Sequence, residues 1–265
     1  TQRSRIATLM DELSKGISFR DRDDIGAMEA GAALEVLLGR AGTPIGREKI
    51  LCPLRERFGN AELEFPLGLN QPELRSVTWL VDHLDIGKLQ AVHAKSKSEY
   101  VDQMPATISR SAAHFKSLPK ELRRKRLLLE ERMELVKHVI IPRQSRDLLG
   151  VWGPNMDAFE ESFKQAGEGS KERLEKVMGV MPSQDLFCHI MAERTSNCAP
   201  NVEEQDFHDV EHAIVPAVYA DVFVTGDRHL LDLLTRRCDI PTARGCKIVQ
   251  GVQGLREVLR SLPEG

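Results

Sequence analysis

The sequence has no apolar run approaching the roughly 18 residues that a membrane-spanning helix requires. Residues 1–16 are also too polar for the apolar centre of a signal peptide. These two absences predict a soluble, cytoplasmic protein with no membrane partner. Cysteine is sparse: Cys52, Cys188, Cys198, Cys238 and Cys246 are scattered, odd in number, and form no CxxC pair. That spacing argues against a disulfide framework and matches no zinc finger or ribbon, so thiols packed as small apolar side chains are expected. Aromatic residues are 5% of the chain, with tryptophan only at 79 and 152. None interleaves with the basic residues to build a base-stacking platform. Net charge is small as well, since 37 Lys+Arg against 40 Asp+Glu leaves −3. Global charge therefore does not advertise nucleic acid, although an uneven distribution still can.

What the sequence does contain is enough apolar residue, 41% of 265, for one large domain or a domain with a helical extension. Ile6, Leu9, Met10, Leu13 and Ile17 repeat at helical spacing, and residues 27–40 do the same with Leu34, Leu37 and Leu38. Between 42 and 72 Gly and Pro thicken, predicting loops around brief elements such as 49–52. Residues 77–81 form a β-prone run ending in Asp82, with Asp85 close behind. From 99 to 138 the chain reads as charged helix interrupted near Pro119. Within 110–143, ten Lys/Arg face four Glu, a local excess of 10 − 4 = +6 centred on Arg123, Arg124, Lys125 and Arg126. Such a cluster can track a phosphate backbone or form a solvated helix face.

Residues 139–141 predict a buried strand stopped by Pro142, with a helix carrying Asp147 after it. Helices are expected over 156–164, 171–178 and 184–194. Beyond Pro200 the pattern alternates: helix 206–219, strand 221–225, helix 228–236, strand 246–249, helix 255–262. Alternation of this kind predicts a parallel sheet covered by helices. Pro216 should bend or end the helix that contains it.

Asp206 and Asp209 stand three apart at the start of one predicted helix and share a face. Asp227 follows a strand directly, and the carboxyl ends of parallel strands are where ligands collect. Carboxylates brought within about 5 Å repel by roughly 3 kcal/mol per pair at an effective dielectric near 20. A hard cation relieves that repulsion, and oxygen-only ligands select Mg²⁺ or Mn²⁺. Each acid alone is equally a helix cap.

The stretch 206–231, with acidic residues on a helix that leads into Val222-Phe-Val-Thr225-Gly-Asp227, resembles the C-terminal half of PIN-like nucleases. The resemblance implies an α/β fold, a parallel sheet flanked by helices over residues 76–265. It implies a helical insertion at about 89–137 and a helical N-terminal extension over 1–75. It further implies a metal-dependent endoribonuclease with Asp209 and Asp227 as metal-site acids, Asp206 nearby, and Thr225 positioning a water at the substrate. Asp82, with Asp85 second, maps onto the family's first acid, although no Asp-Thr-Asn occurs; Asp147 stands where the family usually has Glu. RNA rather than DNA is the implied partner, and self-association or a regulatory protein is compatible. Two other readings are a PIN-like scaffold that binds RNA without cleaving it and a histidine-aspartate phosphohydrolase built on His189, His208, Asp209 and Asp227. The β-branched and aromatic residues of 221–225 argue against the second, because that family is helical throughout.

Overall fold

The computed structural model of the chain describes residues 8, 14–15, 17–20, 22–37, 39–53, 115–136, 168–196 and 204–261. In chain order these form β1 (Ile17–Phe19), α1 (Arg22–Leu37), α2 (Arg47–Ile50), β2 (Leu51–Pro53), α3 (Lys120–Leu135), α4 (Glu168–Gly179), α5 (Pro182–Ser196) and α6 (Glu204–Tyr219). There follow β3 (Val222–Thr225), α7 (Arg228–Asp232), a π-helical turn (Leu233–Arg237), α8 (Ile240–Ala243), β4 (Lys247–Gln250) and α9 (Gly251–Ser261). The described residues are mostly helical with two small sheets, a mixed α/β composition. No helix among them is long and apolar enough to cross a membrane.

The chain divides into two compact units, one of Thr1–Ile25 and Gly46–Met104, the other of Gly26–Ile45 and Pro105–Gly265. In the first, β1 and β2 pair antiparallel from Ile17↔Pro53 to Phe19↔Leu51. Arg20 clamps the pair, its amide donating to Ile50 O and its Nε to Lys49 O, both at 2.8 Å. Ile17, expected at the end of a helix, is a strand residue because the ladder to Pro53 captures its backbone.

In the second unit the core is a helical cluster. Ala30, Ala33 and Leu37 of α1 meet Leu135 and Val136, Leu174, Val177 and Met178 of α4, Val180, Met181, and Cys188 of α5. Residues 26–45 belong with this larger unit. Likewise α3, expected within an insertion, buries Leu127 and Leu135 and packs most extensively on α5. The reason is local: α3 keeps an apolar stripe beneath its charge, and a helix that can bury a stripe becomes core. Gly39 ends α1 at φ +77°, where its amide reaches Val36 O and the next amide reaches Glu35 O, closing the helix.

β3 and β4 pair in parallel, Val222↔Lys247 through Thr225↔Gln250. α7, the π-helical turn and α8 form the crossover, and both α6 and α9 pack on β3. α6 continues through Pro216 to Tyr219, so the proline neither ends it there nor removes its last turn. Where one helix over 228–236 was expected, α7 gives way to the π-helical turn at Leu233. The expected strands at 77–81 and 139–141 and the helix at 156–164 lie outside the described residues.

Candidate functional site

The carboxyl end of β3 holds two of the expected site residues. Thr225 is buried, and its Oγ1 accepts the Asp227 amide at 3.1 Å, which sets the turn at Gly226. Asp227 caps α7: its Oδ1 accepts from the amides of His229 at 2.7 Å and Leu230 at 3.3 Å. Its Oδ2 takes no hydrogen bond from the described residues. The half-buried carboxylate is thus held by one oxygen while the other stays available. Asp206 and Asp209 lie on the first turns of α6. Asp82, Asp85 and Asp147 lie outside the described residues. Among the described residues no group of three or more His, Cys, Asp or Glu stands together as a metal site.

The basic cluster of α3 is divided between the interior and the surface. The Arg123 guanidinium donates to the carbonyls of Phe115, Lys116, Leu118 and Ser196 at 2.9–3.1 Å, tying the start of α3 to the end of α5. Arg124 pairs with buried Glu193 at 2.8 Å and donates to the carbonyl of Arg237. Both therefore serve protein groups rather than standing ready for phosphate. Lys125 and Arg126 are exposed.

Two buried polar networks went unrecognised from sequence. In the first, Arg132 of α3 grips Asp185 of α5 bidentately, Nε to Oδ1 at 2.7 Å and Nη2 to Oδ2 at 3.0 Å, and reaches Glu175 at 2.8 Å. Burial works against its charge, yet Asp185 and then Glu175 hold it protonated above the usual range. Arg132 Nη2 also lies 3.3 Å from His189 Nε2. A guanidinium only donates, so Nε2 accepts and the ring proton sits on Nδ1, which finds no partner among the described residues. Burial, foremost, lowers the His189 pKa and favours this neutral ring.

The second network centres on Glu29, fully buried in α1. Its Oε1 accepts from the Ser183 amide at 3.0 Å and the Tyr219 hydroxyl at 2.6 Å; its Oε2 accepts from Ser183 Oγ at 2.7 Å and the Gln184 amide at 3.2 Å. One carboxylate thereby caps α5 from another helix and anchors the end of α6. Burial raises its pKa despite these four donors. The only local signal was an acid on an Ala- and Gly-rich helix face, at the spacing of Ile25 and Ala33.

His212 and His229 are exposed, which leaves neither sequestered beside the carboxylates. Cys52, Cys188, Cys238 and Cys246 are buried, as expected of thiols packed as small apolar side chains. No family model, curated protein or solved structure matches the chain.

Proposed function

We propose that the protein is a PIN-like nuclease that hydrolyses RNA phosphodiester bonds with Mg²⁺ or Mn²⁺, working at the carboxyl end of β3. The observation that carries this reading is Asp227, a carboxylate with one oxygen fixed by amides and one unengaged, directly beyond a parallel-paired strand. Chain geometry adds support. From Asp209 to Tyr219 the helix rises roughly 15 Å, and from Val222 to Asp227 an extended chain covers a similar roughly 16 Å. Only two residues join α6 to β3, and the two elements pack together. A strand returning along its helix brings the Asp209 end of α6 and the Asp227 end of β3 to the same side of the layer. Asp206, Asp209, Asp227 and Asp147 are all oxygen donors, which suits a hard divalent cation. When bound, such a cation supplies Lewis acidity and a water of lowered pKa. The chain's own part is to hold and orient: Thr225 fixes the Asp227 backbone, and the α7 amides fix one oxygen.

Labelled single-stranded RNA incubated with the full chain tests this. Cleavage is expected with Mn²⁺ or Mg²⁺, absent in chelator, and slowed at least about a hundredfold in Asp227→Asn and in Asp209→Asn. Undiminished cleavage in Asp227→Asn would overturn the site. A second reading, an RNA-binding module without cleavage, is favoured by the fact that Asp227 is already employed as the cap of α7. RNA binding with no metal-dependent cleavage decides for it.

A further inference from the structure

A protein that handles RNA needs a grip on phosphate, and Arg123 and Arg124 are engaged within the fold. Another place on the same unit offers one. An open cleft of about 330 Å³ is lined by Val36, Gly39, Arg40, Glu172, Arg173 and Lys176. The two elements that supply its lining share one buried cluster, to which α1 gives Ala33 and Leu37 and α4 gives Leu174 and Val177. Three cations and one carboxylate line it, and Glu35 stands against Arg40 at its edge, a local excess of 3 − 2 = +1. These cations are loosely held. Arg40 pairs with Glu35 at 3.1 Å with side chains 66% and 44% exposed, and Lys176 with Glu172 at 2.8 Å with 66% and 71% exposed. Exposed pairs of this kind are worth about 0–1 kcal/mol, so both cations can turn to a ligand at little cost. Arg173, exposed on α4, adds a third donor group with bidentate phosphate geometry.

The rest of the cleft is compatible with an anion. It adjoins the C-terminal end of α1, whose dipole disfavours negative charge. There, however, the carbonyls of Glu35 and Val36 are already bonded to the Arg40 and Gly39 amides. A Cβ added at Gly39 would meet nothing within 4 Å, so the space above it is open. Val36 supplies an apolar wall against which a sugar can lie. The size is at the small end of ligand pockets, about 300–1,000 Å³. An open cleft of that size suits a chain passing through better than a small molecule enclosed.

We infer that this cleft is a phosphate subsite for a single-stranded RNA backbone, with Arg40, Arg173 and Lys176 as its three phosphate contacts. The inference rests on the nuclease reading for the identity of the chain that carries the phosphates; the recognition chemistry is the cleft's own. The test is fluorescence anisotropy of the full chain with labelled single-stranded RNA in chelator, across a salt series. The triple variant Arg40→Gln/Arg173→Gln/Lys176→Gln is expected to weaken affinity at least about tenfold at low salt. Its log K against log salt slope should flatten by about 2, at about 0.7 per lost contact on single strands. All three side chains are exposed, so the thermal midpoint should stay at the parent value. A matched triple at exposed Lys247, Arg256 and Arg260 should flatten the slope much less.

Equal slopes in parent and cleft variant, equal effects of the two triples, or no RNA binding by the parent would each overturn the subsite. Displacement of RNA by micromolar inorganic phosphate would point to a small phosphate ligand and likewise overturn the RNA assignment. The two readings fail separately. Cleavage that depends on Asp227 with an unchanged cleft slope removes only the subsite. A flattened slope in a protein that never cleaves removes only the nuclease.

Discussion

Burial acts with opposite sign on the acids and the histidine of the second unit. Glu131 on α3 is half-buried, and desolvation, followed by repulsion from Glu130 and Glu134, pushes its pKa up to about 7. The folded protein therefore holds this proton more tightly than the unfolded chain. The stabilisation is complete below pH 4.5 and is lost as pH rises from there through about 7. Glu131→Gln removes the loss. Relative to the parent it should be more stable above pH 7, by up to about 3 kcal/mol at 1.36 kcal/mol per pKa unit, with the two converging toward pH 4. Urea unfolding across that range measures it, and identical pH profiles would reject the assignment. His189 acts in the opposite sense: with its pKa held below 6.5, stability falls as pH drops beneath that value.

Between elements, the α3–α5 pair is joined by charge as well as by apolar packing. Arg132 and Asp185 are both buried and bidentate, and losing one partner of such a pair leaves an uncompensated charge. Arg132→Met and Asp185→Leu should have unequal consequences, because Arg132 retains Glu175 whereas Asp185 loses its guanidinium. Arg132→Met is expected to cost about 3–5 kcal/mol. The double variant should recover much of that, since two apolar groups replace a matched ionic pair. A double-mutant cycle by chemical denaturation checks this; additive losses would show that the two residues act independently. The charge run 120–135 was legible as a helix but not as an interface. Helical period shows which residues share a face, whereas the acid that turns Arg132 inward lies 53 residues away, and the Ser196 carbonyl that ties Arg123 to α5 lies 73 away.

Across the larger unit, Glu29 joins three helices at one carboxylate. Glu29→Ala would leave the Ser183 and Gln184 amides and two hydroxyls without their acceptor. Each unsatisfied buried group costs about 1–3 kcal/mol, partly offset by no longer burying an acid whose pKa is raised. A net loss of about 3 kcal/mol is expected, which in a unit of this size lowers Tm by roughly 6–12 °C. Calorimetry reads it directly, and an unchanged Tm would mean that Glu29 is not the joint of these helices.

The sequence by itself determined the elements whose information is local. Apolar period and turn residues located α6, β3, β4 and α9 to within a few residues, and the order of helices and strands announced the parallel pairing of β3 with β4. It also placed Asp227 at a strand's end, where the acid caps α7. Tertiary structure decided which charges are interior. Whether Arg124 meets phosphate or Glu193, and whether Glu29 faces water or three helix ends, depends on residues far along the chain. The same holds for Arg40 and Lys176, ordinary surface cations in sequence, which line one cleft only because the fold brings the end of α1 and one face of α4 to the same place.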